Sequence, residues 1–556
     1  MLRLLFLISV LIVSYSCGGG GGGSGNLQKV NGQFVSSYVK GLKVCTDSGR
    51  CSYTDSLGKF SLLSPSQTPH LTFYIGSLKL GDYTLKENGE VINPFKLAGD
   101  SQVGDKLAKI IHGIANDTSG TKELIDLTNL SVSSDDLGND SLEDAVKSGK
   151  PFKISVNNDY YVEFNGTDVE LCRGSGTCET VNYRQWLVLV YMMGDNSLSN
   201  NAKEDLQEMA SVNYTPQVKL VAITDFSDSP DEISISNDTS GKLESFSFPP
   251  DTELDLSKEE SLKNFISTYV NMYPSSHRAL IFWDHGDGWR SSRFAGMDSK
   301  PSDYLFMFRV YNVLNQLKND GITFDLVGFD ECLMGMVEVL YDLKDFTENV
   351  VASEGYEPEN GWDYTKVLSY LVQNPSSDGY TFGKEIVDAY KQTYGNSGSL
   401  GYTLTMTLFE KNRINEILSN LENLANNLNS YNFPDFKSAR DSSTEVDSNS
   451  PYYYVDLYTF ANSLQNKYPE ASNLVSLING AYKVVIPGGD GKELHGLSIY
   501  FPSSSQEADD SGFSCYKVDT PSVCQFGNEV VDGYYNPFAK TNWDEFLESF
   551  IYYSGE

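Results

Sequence analysis

One cysteine in this chain of 556 residues has no near neighbour of its own kind. Cys45 and Cys51, Cys172 and Cys178, and Cys515 and Cys524 stand in close pairs, and Cys17 closes an apolar run at the N-terminus. Cys332 stands alone, after the apolar block Leu326-Val327-Gly328-Phe329 and two acids, Asp330 and Glu331. A second apolar block, Ala279-Leu280-Ile281-Phe282-Trp283, runs into Asp284-His285-Gly286. An odd cysteine in an exported chain calls for a use, and a histidine at the matching end of a neighbouring strand supplies one. The chemistry of such a pair is nucleophilic acyl transfer: the imidazole favours the thiolate and later protonates the leaving amine. Gly286 lets the backbone approach a substrate closely, and its N–H together with that of Cys332 suits a tetrahedral oxyanion. A buried, inert thiol is the competing use of an isolated cysteine.

The elements that must position these residues are strands alternating with helices from Trp186 onward. Continuous apolar strands are expected at 186–191, 218–223, 279–283, 326–329 and 349–353. Helices are expected at 202–212, 256–273, 304–317, 335–346, 382–394 and 413–428. A further strand is expected at 496–501, ended by Pro502, and an amphipathic stretch at 543–553. Apolar strands joined by helices predict an α/β fold with a mostly parallel sheet buried on both faces. In such a sheet ligands bind beyond the carboxyl ends of the strands, where His285 and Cys332 both fall. If the Cys332 strand stays extended, Asp330 and Cys332 project to the same side, because they are two residues apart. An acid there can pair with a guanidinium; a turn or helix cap is its other use.

Residues 28–182 read differently. Short strands are expected at 33–35, 41–45, 59–62, 70–75, 152–156 and 160–164, and a helix at 104–114, with no convergent catalytic residues. The run Thr54-Asp55-Ser56-Leu57-Gly58-Lys59-Phe60 resembles a small surface-lipoprotein β-module. Ahead of it, Arg3, the apolar residues 4–13 and Ser14-Tyr15-Ser16 form an export signal over residues 1–17. Cys17 and the glycine run that follows resemble a bacterial lipoprotein signal, with Cys17 as the lipidated residue; an ordinary cleaved signal is the alternative. Residues 18–27 then form a glycine-rich tether. The expected place is outside the cytoplasm, at the cell envelope or surface, held by a lipid on Cys17. Close cysteine pairs suit that oxidising compartment, so disulfides Cys45–Cys51, Cys172–Cys178 and Cys515–Cys524 are expected by proximity. Their spacing does not match common zinc ligation. The net charge of −34 repels nucleic acid and favours solubility, divalent cations or basic substrates.

Several blocks together resemble the clostripain family of cysteine endopeptidases, whose fold is shared with caspases, gingipains and legumain. They are Trp186 to Tyr191 with Asp195-Asn196-Ser197-Leu198; Asp284-His285-Gly286-Asp287-Gly288-Trp289; Asp330-Glu331-Cys332-Leu333-Met334-Gly335 with Glu338; Ser353-Glu354 through Glu357-Pro358 and Gly361-Trp362; and Gly496 to Pro502. The resemblance covers about residues 183–550, with the peptidase domain expected over 183–556, and implies a caspase-like αβα sandwich acting on protein or peptide partners. It implies Cys332 as nucleophile, His285 as general acid and base, and cleavage after Arg or Lys, with Asp330 selecting the basic side chain. It also implies self-cleavage between the histidine and the cysteine, for which Arg293 and Lys300 are the expected sites. No cofactor is required by the sequence, and calcium is compatible with the resemblance, although no calcium-loop motif is visible. Two departures stand out: Glu331 occupies a position that is usually small, and Asp287 lies in the glycine-rich turn. Negative charge there raises a thiol's pKa, so a surface binding protein that keeps the fold with weak or no turnover is the competing reading.

Overall fold

In the computed structural model the residues described are 27–555, apart from 121, 123, 175–176, 250–253, 291–296, 300–301, 396–399, 448–451 and 527–528. A nine-stranded sheet dominates the structure from Trp186 onward. Its strands in chain order are β1 (Trp186–Gly194), β2 (Val218–Phe226), β3 (Glu232–Ser236), β4 (Leu243–Ser247), β5 (His277–Trp283), β6 (Leu326–Asp330), β7 (Asn349–Ala352), β8 (Leu404–Glu410) and β9 (Tyr482–Ile486). They lie side by side as β4-β3-β2-β1-β5-β6-β7-β8-β9. The pairings from β2 through β1, β5 and β6 to β7 are parallel, and those at both flanks are antiparallel.

Every residue of β1, β2 and β6 is buried, as a parallel strand covered on both faces requires. Alternate side chains of β1 feed two separate cores. Leu187, Leu189 and Tyr191 pack with helices Glu259–Met272, Met307–Asn319, Val337–Leu343 and Lys411–Ala425. Trp186, Val188 and Val190 pack with helices Ser199–Ser211, Tyr364–Gln373 and Gly379–Tyr394. The result is the expected αβα sandwich, with a mixed sheet whose parallel part is central. The strand expected at 496–501 is shorter, Ser498–Tyr500, and pairs with Tyr454–Asp456 outside the main sheet.

Residues 27–182 form smaller sheets around their own buried cluster, which includes Phe34, Phe73, Ile111, Ile154 and Leu171. Strands such as Lys59–Ser64 and Phe152–Val156 alternate exposed and buried positions, the pattern of sheets wet on one face. Helix Ser101–Ile114 packs its apolar stripe between them. Contacts with the large sheet gather at the amino ends of its parallel strands. The buried Arg278, second in β5, lies over the Phe95 ring at 5.6 Å. Ser276 donates to Asp105 at 2.6 Å, and Lys86 donates to the Asn319 carbonyl at 2.5 Å. The three close cysteine pairs are joined as expected: Cys45 to Cys51, Cys172 to Cys178 and Cys515 to Cys524. Cys332 is the free cysteine among the described residues.

Candidate active site

At the carboxyl ends of β5 and β6 two turns meet. The β5 turn carries His285 and Gly286; the β6 turn carries Glu331, Cys332 and Leu333. A methyl group added to Gly286 would stand 2.1 Å from the Cys332 carbonyl oxygen and 2.9 Å from its nitrogen. The two backbones therefore touch, and only a residue without Cβ fits there. Strand β6 ends at Asp330, so Cys332 sits on a turn and not on an extended strand. Leu333 adopts φ 65°, a left-handed backbone that a bulky residue rarely takes. Its N–H donates to the Gly355 carbonyl at 3.0 Å, and the Gly335 N–H donates to Ser353 at 2.6 Å, which fixes the turn against the end of β7.

The half-buried Cys332 receives a hydrogen bond from the Glu357 backbone N–H, at 3.2 Å from its sulfur. Burial pushes its thiol up to about 12; the Glu357 N–H opposes this, while the carboxyls of Glu357, Glu331 and Asp330 add to it. Burial likewise lowers the pKa of His285, against the charge of Glu359. Both groups are thus shifted toward their uncharged forms. Glu331 is buried and its carboxyl is held protonated well above the usual range, by burial first and then by Asp284 and Asp330.

A third segment completes the site. The loop 355–363 supplies the N–H on Cys332 and also roofs Asp330. The Asp330 carboxylate accepts from the Trp362 N–H at 3.1 Å and from the Tyr364 hydroxyl at 2.9 Å. A methyl group on Gly361, at φ 52°, would stand 2.7 Å from both Asp330 oxygens. Cys332 and Asp330 thus share a loop as neighbour, in place of the strand alternation that the sequence suggested. Burial raises Asp330 to about 7, and burial with the Asp330 charge raises nearby Asp205 to about 9. Glu357 is also buried and its carboxyl is shifted well upward by burial and by Asp330. Three buried carboxyls, Asp330, Asp205 and Glu357, thus gather beneath the loop.

A fourth segment was not assigned a role from sequence. After β1, the Asn196 amide donates to Asp284 Oδ1 at 2.7 Å and to the Met193 carbonyl at 2.9 Å. The same Asp284 oxygen accepts from the His285 N–H at 2.6 Å. Ser197 Oγ lies 2.9 Å from His285 Nε2. Asn196 and Ser197 belong to a block that carried the family resemblance, but neither had a signal of its own.

The remaining site residues, other acids of the motif blocks and the histidines that carry no catalytic expectation fall as follows. Cys17, Arg293 and Lys300 lie outside the described residues. Glu354 turns away from Cys332 and accepts from the His495 and Gly496 N–H groups at 3.1 and 2.6 Å. Glu338 is buried and holds the Tyr500 N–H at 3.0 Å and the Tyr516 hydroxyl at 2.8 Å, which fastens the 498–500 strand. His70, His112, His277 and His495 each pair with an aspartate, respectively Asp47, Asp117, Asp325 and Asp456. Among the described residues, Glu170, Cys172 and Cys178 bring metal-ligand atom types together. Both sulfurs belong to a disulfide and one carboxylate remains, which does not fit calcium's demand for several oxygens.

The model of the clostripain family, Peptidase_C11, matches residues 190–550. The chain belongs to the clostripain family of cysteine endopeptidases. Clostripain of Hathewaya histolytica is 22% identical over 443 residues, which cover 64% of this chain and 82% of that protein. A secreted C11 cysteine protease from Bacteroides thetaiotaomicron, solved with an irreversible peptide inhibitor, is 21% identical with a TM-score of 0.47, over 58% of this chain and 96% of its own. An inactive zymogen C11 protease from Parabacteroides distasonis is 18% identical with a TM-score of 0.46, over 57% of this chain and 92% of its own. Among the described residues no helix is long and apolar enough to cross a membrane.

Proposed function

We propose that this chain hydrolyses peptide bonds on the carboxyl side of Arg or Lys, with Cys332 as nucleophile and His285 as general base and acid. The observation that carries the reading is the backbone contact of Gly286 with Cys332, which brings the two turns into one cleft. As the carbonyl carbon is attacked, the thiol proton passes to the imidazole, and the sulfur–carbon bond forms. The tetrahedral oxyanion is held by the Gly286 and Cys332 N–H groups. On collapse the carbon–nitrogen bond breaks, and the amine leaves with the proton from the imidazolium. Water, deprotonated by the same imidazole, then cleaves the thioester and releases the acid and the thiol. The Glu357 N–H beside the sulfur supports the thiolate as it develops.

Asp330, with buried carboxyls around it, selects the basic side chain. A guanidinium or ammonium entering there supplies the cation that these acids face, and draws the raised carboxyls into their charged forms. Self-cleavage at Arg293 or Lys300, and lipid attachment of the exported chain through Cys17, complete the proposal. In this arrangement residues 28–182 act as a spacer module and residues 183–556 as the peptidase. The deciding assay uses fluorogenic peptides ending in Arg or Lys. Hydrolysis is expected to fall to background in Cys332→Ala; hydrolysis that persists in that variant overturns the assignment. A second reading, a binding protein with weak turnover, draws on the thiol's upward shift to about 12. Peptide binding without any hydrolysis dependent on Cys332 would favour it.

A further inference from the structure

We propose that Ser197 is a positioning residue for His285: its hydroxyl holds Nε2 of the imidazole, so that the proton exchanged with the Cys332 thiol travels through Nδ1. The inference rests on the Cys332–His285 assignment above. Its basis is the 2.9 Å separation of Ser197 Oγ and His285 Nε2. The contact is built into the frame of the site. Asn196, the preceding residue, donates to Asp284 Oδ1, and Asp284, the residue before the histidine, accepts from the His285 N–H with the same oxygen. The Asn196 oxygen accepts from the Leu198 N–H at 2.8 Å, on the other side of Ser197. The turn after β1 is thus stitched to the turn after β5 by two neighbouring side chains, Asn196 on the Asp284 carboxylate that holds the histidine's N–H and Ser197 on the histidine's ring.

A hydroxyl suits this place because it can accept from Nε2–H while the imidazole is neutral and go on accepting once the ring is protonated. Its acceptor role counts most when the ring carries charge. The imidazolium forms as Cys332 loses its proton, so the hydrogen bond strengthens toward the transition state. The titratable groups on the neighbouring segments are Asp284 on its own turn, Glu331 and Cys332 on the turn after β6, and Glu359 on the loop above, of which Glu359 acts on the ring's charge. Burial lowers the imidazole's pKa and the Glu359 charge raises it. The oxygen of Ser197 favours the charged ring, so its removal lowers that pKa further. Activity requires the neutral imidazole as base, so it rises as pH climbs through the His285 pKa. Loss of Ser197 must then move the acid limb to lower pH.

The test is the pH profile of kcat and kcat/KM for an Arg peptide, measured on the full chain and on Ser197→Ala, Ser197→Gly and Ser197→Thr. A hydrogen bond to a charged group predicts a fall in kcat of about 10- to 100-fold in the Ala and Gly variants, with little change in KM. Their acid limb should shift downward, and Thr, which keeps the hydroxyl, should restore both rate and limb. An unchanged kcat with an unmoved limb overturns the proposal. So does an equal fall in all three variants with the limb in place, since that marks a merely structural residue. Cys332→Ala and His285→Ala in the same assay separate the two levels of inference: if either keeps full activity, the dyad itself fails. If both lose activity while Ser197→Ala matches the parent, Ser197 alone is misassigned.

Discussion

Asp330 is an acid buried under its own roof, bonded to a backbone N–H and a tyrosine hydroxyl. Two consequences follow from replacing it by Asn, which keeps an acceptor in place and removes the charge. For Arg and Lys peptides kcat/KM should fall about 10- to 100-fold, the worth of a charge-assisted bond, and mostly through KM. Stability should move the other way. The folded carboxyl is raised to about 7 from its ordinary 3.8. The folded state therefore holds a proton that the unfolded chain gives up, and stability falls as pH rises between those values. At pH 8 the melting temperature of Asp330→Asn should equal or exceed that of the parent, as differential scanning calorimetry would show. The site's two central residues were legible in the sequence because each closes an apolar block. Ser197 was not, because serine after a strand is ordinary turn chemistry, and nothing local says that it will meet a ring 88 positions away.

Among the elements, the turns carry the geometry and the helices hold it. Gly286→Ala forces a methyl group onto backbone atoms of the cysteine turn, where no side chain can yield. Hydrolysis should be lost in a protein that still shows the parent's far-ultraviolet dichroism, and alkylation of Cys332 by iodoacetamide should change in rate. Glu338→Ala, on helix Val337–Leu343, leaves the Tyr500 N–H and the Tyr516 hydroxyl without their acceptor. Urea unfolding should report a loss of about 2–4 kcal/mol, one to two kcal/mol for each stranded group. The five central parallel strands were readable because a strand buried on both faces is apolar throughout. The outer strands were not. Strand β8, Leu404-Thr405-Met406-Thr407-Leu408-Phe409-Glu410, alternates threonine with apolar residues yet is buried on both sides. Strand β4 is mostly exposed and carries no pattern. The left-handed turn at Leu333 was also invisible, since leucine is the wrong residue to announce it.

For the molecule as a whole, acids outnumber bases, 75 to 41, and several acids are interior. Burial, the first cause in each case, raises Asp205 to about 9 and Asp330, Glu338 and Asp544 to about 7. Raised carboxyls contribute stability that is fully present below their unfolded values and is lost as pH climbs through the folded ones. The urea midpoint should therefore be higher at pH 5 than at pH 8, and Glu338→Gln should flatten the slope between them. A midpoint that rises with pH would contradict this account. Overall architecture was the most legible level, because alternation of apolar strands and amphipathic helices is a global pattern. The docking of residues 27–182 was not, since it depends on single contacts such as Arg278 on Phe95.

That docking has a consequence for control. Strand β5 begins beside Phe95 and ends beside His285, a run of seven residues, or roughly 20 Å at about 3.3 Å per residue. Residues 27–182 brace the floor of the sheet while the reactive mouth opens from its ceiling. As the proposed spacer they would stand as a pedestal and not a cork, so severing the chain near Asn182 should leave hydrolysis of Arg peptides unchanged.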